Sequence, residues 1–316
     1  MTAPATPVIA RTAGRGARRP ARRGIDRWSG VVEGYFRVHA ALTYAFLFLP
    51  ILVVVVLAFN ATTKATTVWE GFSLRWFSIA LADEVVRDAL SNSFWIAVPN
   101  AFLATAFGTM AALGLQRVGK RIRLGFDVLT YMSIIVPEIV IALATLILFA
   151  TSFDAIQSTF GVKLQFGRET IIAAHVLFNT SLVLLLVRAR LSGMDRTLVD
   201  ASADLFATPW ATFRQITWPQ LLPAIIAGFL LSFTFSFDDF VITTFVSGPG
   251  SSTLPLFIFG QVKRGVTPET NAIATMILAF TIGMLFLGQA ALTWQSRRRG
   301  RQGGGMGEII AQQQGG

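Results

Sequence analysis

Between Ala41 and Phe59 the chain carries no charged residue, and this run is close to the roughly 20 helical residues needed to cross the hydrocarbon core of a bilayer. Inside lipid every backbone N–H and C=O must be satisfied within the protein, so such a segment is confined to a helix. Comparable segments follow at 91–115, 125–150, 170–187, 222–247 and 272–295, each with few ionisable groups and flanked by polar or basic stretches. The pattern predicts an all-α integral membrane protein with six transmembrane helices. Pro50, Pro99 and Pro137 fall inside these segments, where neighbouring helices can re-satisfy the backbone. Composition agrees: 53% hydrophobic against 14% charged leaves too little polar surface for a soluble globule.

The same composition excludes much chemistry. The chain has no cysteine, which removes thiolate metal sites, disulfides and cysteine nucleophiles, and its two histidines are His39 and His175. The formal charge of +10 sits mainly in the tails: residues 1–40 hold eight Arg against Asp26 and Glu33, and residues 297–316 hold four Arg against Glu308. The body between them is nearly neutral and has no basic face for nucleic acid. Residues 1–40 are expected to be a disordered basic N-tail, 41–296 the six-span domain, and 297–316 a disordered basic C-tail. The N-tail is Arg-rich like an organelle transit peptide, but it is poor in Ser and has no amphipathic stripe.

Basic residues near span ends are retained on the cytoplasmic side. With the N-terminus inside, the inner segments hold twenty Lys and Arg and the outer segments seven, so both termini are expected in the cytoplasm. The longest inner connection, 188–221, has the pattern of two short helices meeting at Thr208 and Pro209. Thr208 suits an N-cap and Pro209 a first helical position that needs no amide hydrogen; the helix begun there is expected to end near Trp218, before Pro219 and Pro223. On the upstream helix Asp200 and Asp204 share a face, with Leu198, Ala201 and Leu205 on an apolar side. Downstream, Trp210, Phe213 and Ile216 recur at helical spacing. The expected product is a cytoplasmic helix-turn-helix knob suited to docking.

The segment DASADLFATPWATFRQITWPQLLP resembles the EAA loop of permease subunits of binding-protein-dependent ABC importers. It matches that motif at Ala201, Ile216 and Pro219. Asp200 stands for Glu, Ser202 for the second Ala, Phe206 for Gly and Trp218 for Leu; a Gly at 206 would permit a tight turn that Phe disfavours. The likeness runs from about 91 to 279 and is similar in particular to spermidine/putrescine permeases, through SNSFWIAV, VPEIVIAL, GFLLSFTFSFDDFVITTFVSGPGSSTLPLFIF and GVTPETNAIAT. The resemblance implies an ABC importer permease fold in the bacterial inner membrane. It also implies two ATPase subunits that bind ATP and magnesium, a second homologous permease subunit, an external polyamine-binding protein and no cofactor of its own. It assigns ATPase coupling to Asp200, Ala201, Asp204, Phe206, Pro209, Trp210, Phe213, Ile216 and Pro219.

Three carboxylates fall within predicted spans: Glu138 in the third, and Asp238 and Asp239 in the fifth. A charge at the bilayer centre costs on the order of 3 kcal/mol or more, so such groups normally face a wet path or a partner. Ser232, Ser236, Asp239 and Thr243 recur at i, i+4, i+7 and i+11 and form one polar stripe, with Asp238 turned about 100° away. A path for a cation along Asp239, Glu138, Asp238, Ser232, Ser236 and Thr243 is one reading; helix caps or contacts to a neighbouring subunit are the other. His175 and Asn179, four apart in the fourth span, suit interhelical hydrogen bonds.

The stretch from Gly114 to Arg121 imitates a phosphate-binding loop, but Arg121 stands where Ser or Thr would hold magnesium and no strand precedes it. The expected function is therefore that of a non-catalytic subunit moving polyamines inward on ATP hydrolysed by others. Alternatives are an importer permease for a metal ion or small cofactor, or a self-contained channel or secondary transporter, although no duplicated halves are evident.

Overall fold

The computed structural model describes residues 25–63 and 68–313; the expectation of a disordered tail over residues 1–24 lies outside the described residues. Residues up to Val53 and residues from Val54 onward form two units. The first helix, α1 (Ile25–Leu57), starts within the expected N-tail, so residues 25–40 are helical rather than disordered. Its opening turns carry a Glu33–Arg37 ion pair of 2.6 Å at the i, i+4 spacing that supports a helix. Its apolar part is Val32–Leu57.

After α1, Asn60 organises the connection that follows: its side-chain amide donates to the Val68 carbonyl at 2.7 Å and its Oδ1 accepts from the Glu70 amide at 2.9 Å. A short helix, α2 (Arg75–Ala82), leads to Asp83, which caps α3 (Glu84–Gly114) by accepting from the Val85 amide at 2.8 Å. The third expected span, 125–150, is divided instead into α4 (Lys120–Ile135) and α5 (Glu138–Phe160), and the apolar span is Glu138–Phe160. The cause is Pro137, which forces Val136 out of the helical region to ψ 132. Then α6 (Arg168–Ser192) crosses, and α7 (Thr197–Asp204) and α8 (Pro209–Thr212) form the knob.

Pro219 and Pro223 do not end the helix that starts at Pro209. A π-helical turn, Phe213–Thr217, carries it into α9 (Trp218–Phe237), and Pro219 falls in that helix's first turn. The wider turn removes the clash a proline makes with the carbonyl four residues back. The fifth expected span is also interrupted: α9 stops at Phe237 and α10 (Val241–Val246) begins after Asp238, Asp239 and Phe240. The amphipathic α11 (Leu254–Arg264) precedes α12 (Pro268–Gln313), which remains helical through 297–313, where disorder was expected. Six helices are long and apolar enough to cross a membrane, as predicted, and no extended strand occurs among the described residues.

The packing centre is the α3, α6 and α9 bundle. At Gly108 a Cβ would lie 2.7 Å from the Val183 Cβ and 2.9 Å from the Leu184 amide nitrogen, and at Gly228 it would lie 3.2 Å from Val183 Cγ1. Two glycines thus let three backbones close on one valine, the usual way of packing helices in lipid, where burial of apolar surface gives little drive. One turn away the interface becomes polar. Asn100 donates to the Ser232 carbonyl at 3.0 Å, and Asn179 donates to Asn100 Oδ1 at 3.3 Å, with Asn100 and Ser232 wholly buried.

Candidate functional site

The polar stripe expected on one continuous helix survives the interruption of that helix. Ser232, Ser236, Asp239 and Thr243 are all buried, at 0%, 4%, 8% and 0% exposure, and Asp239 lies within the break. The break is stabilised by Asp239 itself, whose Oδ1 accepts from the Thr243 amide at 2.8 Å and from the Thr243 hydroxyl at 2.7 Å. A carboxylate at the first turn of α10 meets amide hydrogens that have no intrahelical acceptor and the positive end of the helix dipole. Asp239 therefore fulfils the capping reading as well as lying on the stripe.

His175 of α6, 2% exposed, completes the cluster. Its Nε2 is placed to donate to Asp239 Oδ1 at 3.1 Å, and its Nδ1 shares a 2.7 Å hydrogen bond with the Ser236 hydroxyl. From α5, which packs against α10, Glu138 contributes a second carboxyl group on the side of Asp239. Glu138 differs from Asp239 in one respect that matters for function: it is exposed on the surface of the single chain, whereas Asp239 is enclosed and fully engaged. Residues from α5, α6, α9 and α10 thus converge on one point. The link between Glu138, His175 and Asp239 spans about a hundred positions and has no local signal.

Asp238 lies apart. It reaches the Thr281 hydroxyl at 3.5 Å and lines a cavity of about 370 Å3 with Phe240, Phe259, Ile258 and Ile277, on the side of α11 and α12. The structure does not bring Asp238 together with the His175 cluster.

In the knob, the C-terminus of α7 closes as a Schellman turn. The Ala207 amide donates to the Ser202 carbonyl at 3.0 Å and the Phe206 amide to the Ala203 carbonyl at 2.9 Å. Phe206 occupies the left-handed position at φ 56, which glycine normally takes, and is the one non-glycine residue there among those described. The tight turn is therefore kept despite the phenylalanine. Thr208 caps α8 by accepting from the Ala211 amide at 3.3 Å, as its place before Pro209 predicts. Ser202 Oγ meets Thr212 Oγ1 at 2.9 Å and ties the two helices together. At the entrance to α7 the Thr197 hydroxyl and amide donate to Asp195 and hold its carboxyl below the usual range.

The buried face of α7 is that of Ser202, and the apolar side expected of Leu198, Ala201 and Leu205 is left uncovered on the single chain. All three are exposed, as are Asp200 and Asp204. Leu205, Phe206 and Trp210 leave 82%, 94% and 69% of their surfaces uncovered, an apolar tip beside two carboxylates. Trp210 stacks on Phe213, and Phe213 packs against Trp218 at the base, with Ile216 and Pro219 along the π turn and α9.

A six-helix membrane chain with a two-helix knob between its fourth and fifth spans is the build of a transporter's membrane component. Residues 104–301 match the family described as binding-protein-dependent transport system inner membrane component, and the chain belongs to that family. A member works with a substrate-binding protein and an ATPase. The chain is 42% identical over 238 residues, 75% of its length and 83% of the relative's, to the putrescine transport system permease protein PotI of Escherichia coli strain K12. It is 33% identical over 246 residues, 78% of its length and 89% of the relative's, to the spermidine/putrescine transport system permease protein PotC of the same strain. Among solved structures, a chain of a bacterial ABC transporter that imports the acidic polysaccharide alginate superposes with a TM-score of 0.65 at 14% identity, covering 86% of this chain and 99% of that one. That likeness concerns the fold.

Proposed function

We propose that this chain is the membrane-spanning subunit of an ABC importer that carries polyamines such as putrescine and spermidine into the cytoplasm. The observation that carries the cationic character of the cargo is the pair of carboxyl groups, Glu138 and Asp239, on neighbouring elements, neither of which forms an ion pair with lysine or arginine among the described residues. A polyamine has several separated ammonium groups, and taking them out of water requires carboxylates and hydroxyls to replace part of their hydration. Glu138 is the accessible contact. Asp239, held by His175 and the start of α10, supplies negative potential behind it, with the buried Ser236 and Thr243 supporting His175 and Asp239 by hydrogen bonds and the buried Ser232 one turn further along α9. Moderately negative positions along a wall favour passage over one deep well that would trap the cargo. Asp238 belongs to a separate cavity and is assigned a lesser part.

The reading includes a second, homologous permease subunit facing this one, so that Glu138 lines the path between them. Two ATPase subunits bind ATP and magnesium and dock on the knob from Asp200 to Pro219, and an external polyamine-binding protein delivers the cargo. The chain is multi-pass in the inner membrane with both termini in the cytoplasm, as the distribution of Lys and Arg supports. Vesicles containing the assembled complex test this: putrescine uptake should require ATP and the binding protein and be suppressed by spermidine. Uptake that persists without the ATPase would make the chain a self-contained transporter and end the proposal.

A further inference from the structure

At the ends of α3 and α6 that lead into the 115–119 turn and the knob, a cavity of about 170 Å3 is lined by Arg123, Arg188, Arg196, Gln116 and Ser192. That volume is on the order of five waters at ~30 Å3 each, enough for one phosphate group. The guanidinium groups are differently committed. Arg123 donates through Nε to the Leu115 carbonyl at 3.1 Å and through Nη2 to the Gln116 carbonyl at 3.2 Å, closing the end of α3. Arg188 pairs through Nη1 with Asp127 of α4. Among the described residues no carboxylate pairs with Arg196. Three positive charges against the single carboxylate of Asp127 leave a positive excess around a polar hollow.

The depth of the cavity narrows the ligand. Ala112 lies in the last turn of the apolar helix Glu84–Gly114, and Arg188, Leu191 and Ser192 lie in the last turns of Arg168–Ser192, so the cavity sits where two helices long and apolar enough to span a bilayer end. Guanidinium forks match the geometry of phosphate oxygens, and basic pockets between spans are a known form of headgroup site. We propose that this cavity binds the phosphate group of an anionic lipid, securing the junction of α3, α4 and α6 beside the knob. The inference is independent of which solute the protein carries.

The test is native mass spectrometry of the complex purified with its partner subunits and exposed to equal amounts of phosphatidylglycerol and phosphatidylcholine. Preferential retention of phosphatidylglycerol is expected, falling about fivefold in Arg196→Gln, the scale of one surface basic charge. It should be largely kept in Arg196→Lys and unchanged in Arg75→Gln, which alters an exposed basic residue outside both the cavity and the knob. A separate arm adds inorganic phosphate: displacement of lipid by phosphate alone would support the phosphate site and assign a free anion as its occupant. Equal retention of the two lipids, or an Arg196→Gln protein that keeps its preference, would overturn the proposal.

Discussion

His175 Nε2 lies 3.1 Å from Asp239 Oδ1, a contact that joins the middle of α6 to the break between α9 and α10. Both side chains are buried, so their bond competes with no bulk water and fixes the angle at which α10 leaves. His175→Ala and Asp239→Ala are each expected to lower the melting temperature of the purified complex, with the double variant recovering a coupling of about 1 kcal/mol, the upper part of the range for polar pairs between membrane helices. Strictly additive losses would show that the two residues do not act on each other.

Phe206 in the left-handed position strains the knob by roughly 1–2 kcal/mol relative to glycine. Phe206→Gly is expected to slow hydrogen exchange at the Ala207 amide and its neighbours, whereas Phe206→Ala keeps the strain, loses the ring and should not slow exchange. If both variants exchange alike, the conformation costs nothing here. Retention of the ATPase subunits in the same preparations then reports separately on the exposed ring.

The seal around Val183 makes a graded prediction. Gly108→Ala places a methyl group 2.7 Å from the Val183 Cβ and against backbone, so it should destabilise by about 1–3 kcal/mol as overpacking does. Gly228→Ala at 3.2 Å from a movable methyl should cost less, and Gly114→Ala, with open space around it, nothing measurable. Thermal unfolding in detergent gives the order; a tolerant Gly108→Ala would mean the helices do not close as described.

Much of this was legible in the sequence because it is local. Apolar runs with few charges mark the six spans, Thr208 before Pro209 marks a helix start, and the spacing of Ser232, Ser236, Asp239 and Thr243 marks one polar face. The break at Asp238 and Asp239 was not, since no proline or glycine announces it and the α10 amides accept Asp239 only once the chain has turned. The persistence of α8 into α9 depends on a π turn that hydropathy cannot reveal. The approach of Glu138 and His175 to Asp239 joins α5 and α6 to the break between α9 and α10 and emerges only from packing.

The absence of native cysteine makes sidedness directly measurable. Single cysteines at Arg117 and Arg214 are expected to react with an impermeant thiol reagent only from the cytoplasmic face, and one at Lys163 only from the outer face. Labelling of Arg214→Cys from outside would invert the topology and place the knob where no ATPase reaches it.

The central claim is that exposed Glu138, backed by Asp239, provides the negative surface a polyamine crosses. Initial rates of putrescine uptake into vesicles holding the assembled complex test it with Glu138→Gln, Asp239→Asn and the pair together. Glu138→Gln should reduce uptake about tenfold, equivalent to ~1.4 kcal/mol at the barrier, with the complex intact by size-exclusion chromatography. The double variant should fall further. Parental uptake rates in both Glu138→Gln and the double variant would contradict the account and place cargo selection outside this chain.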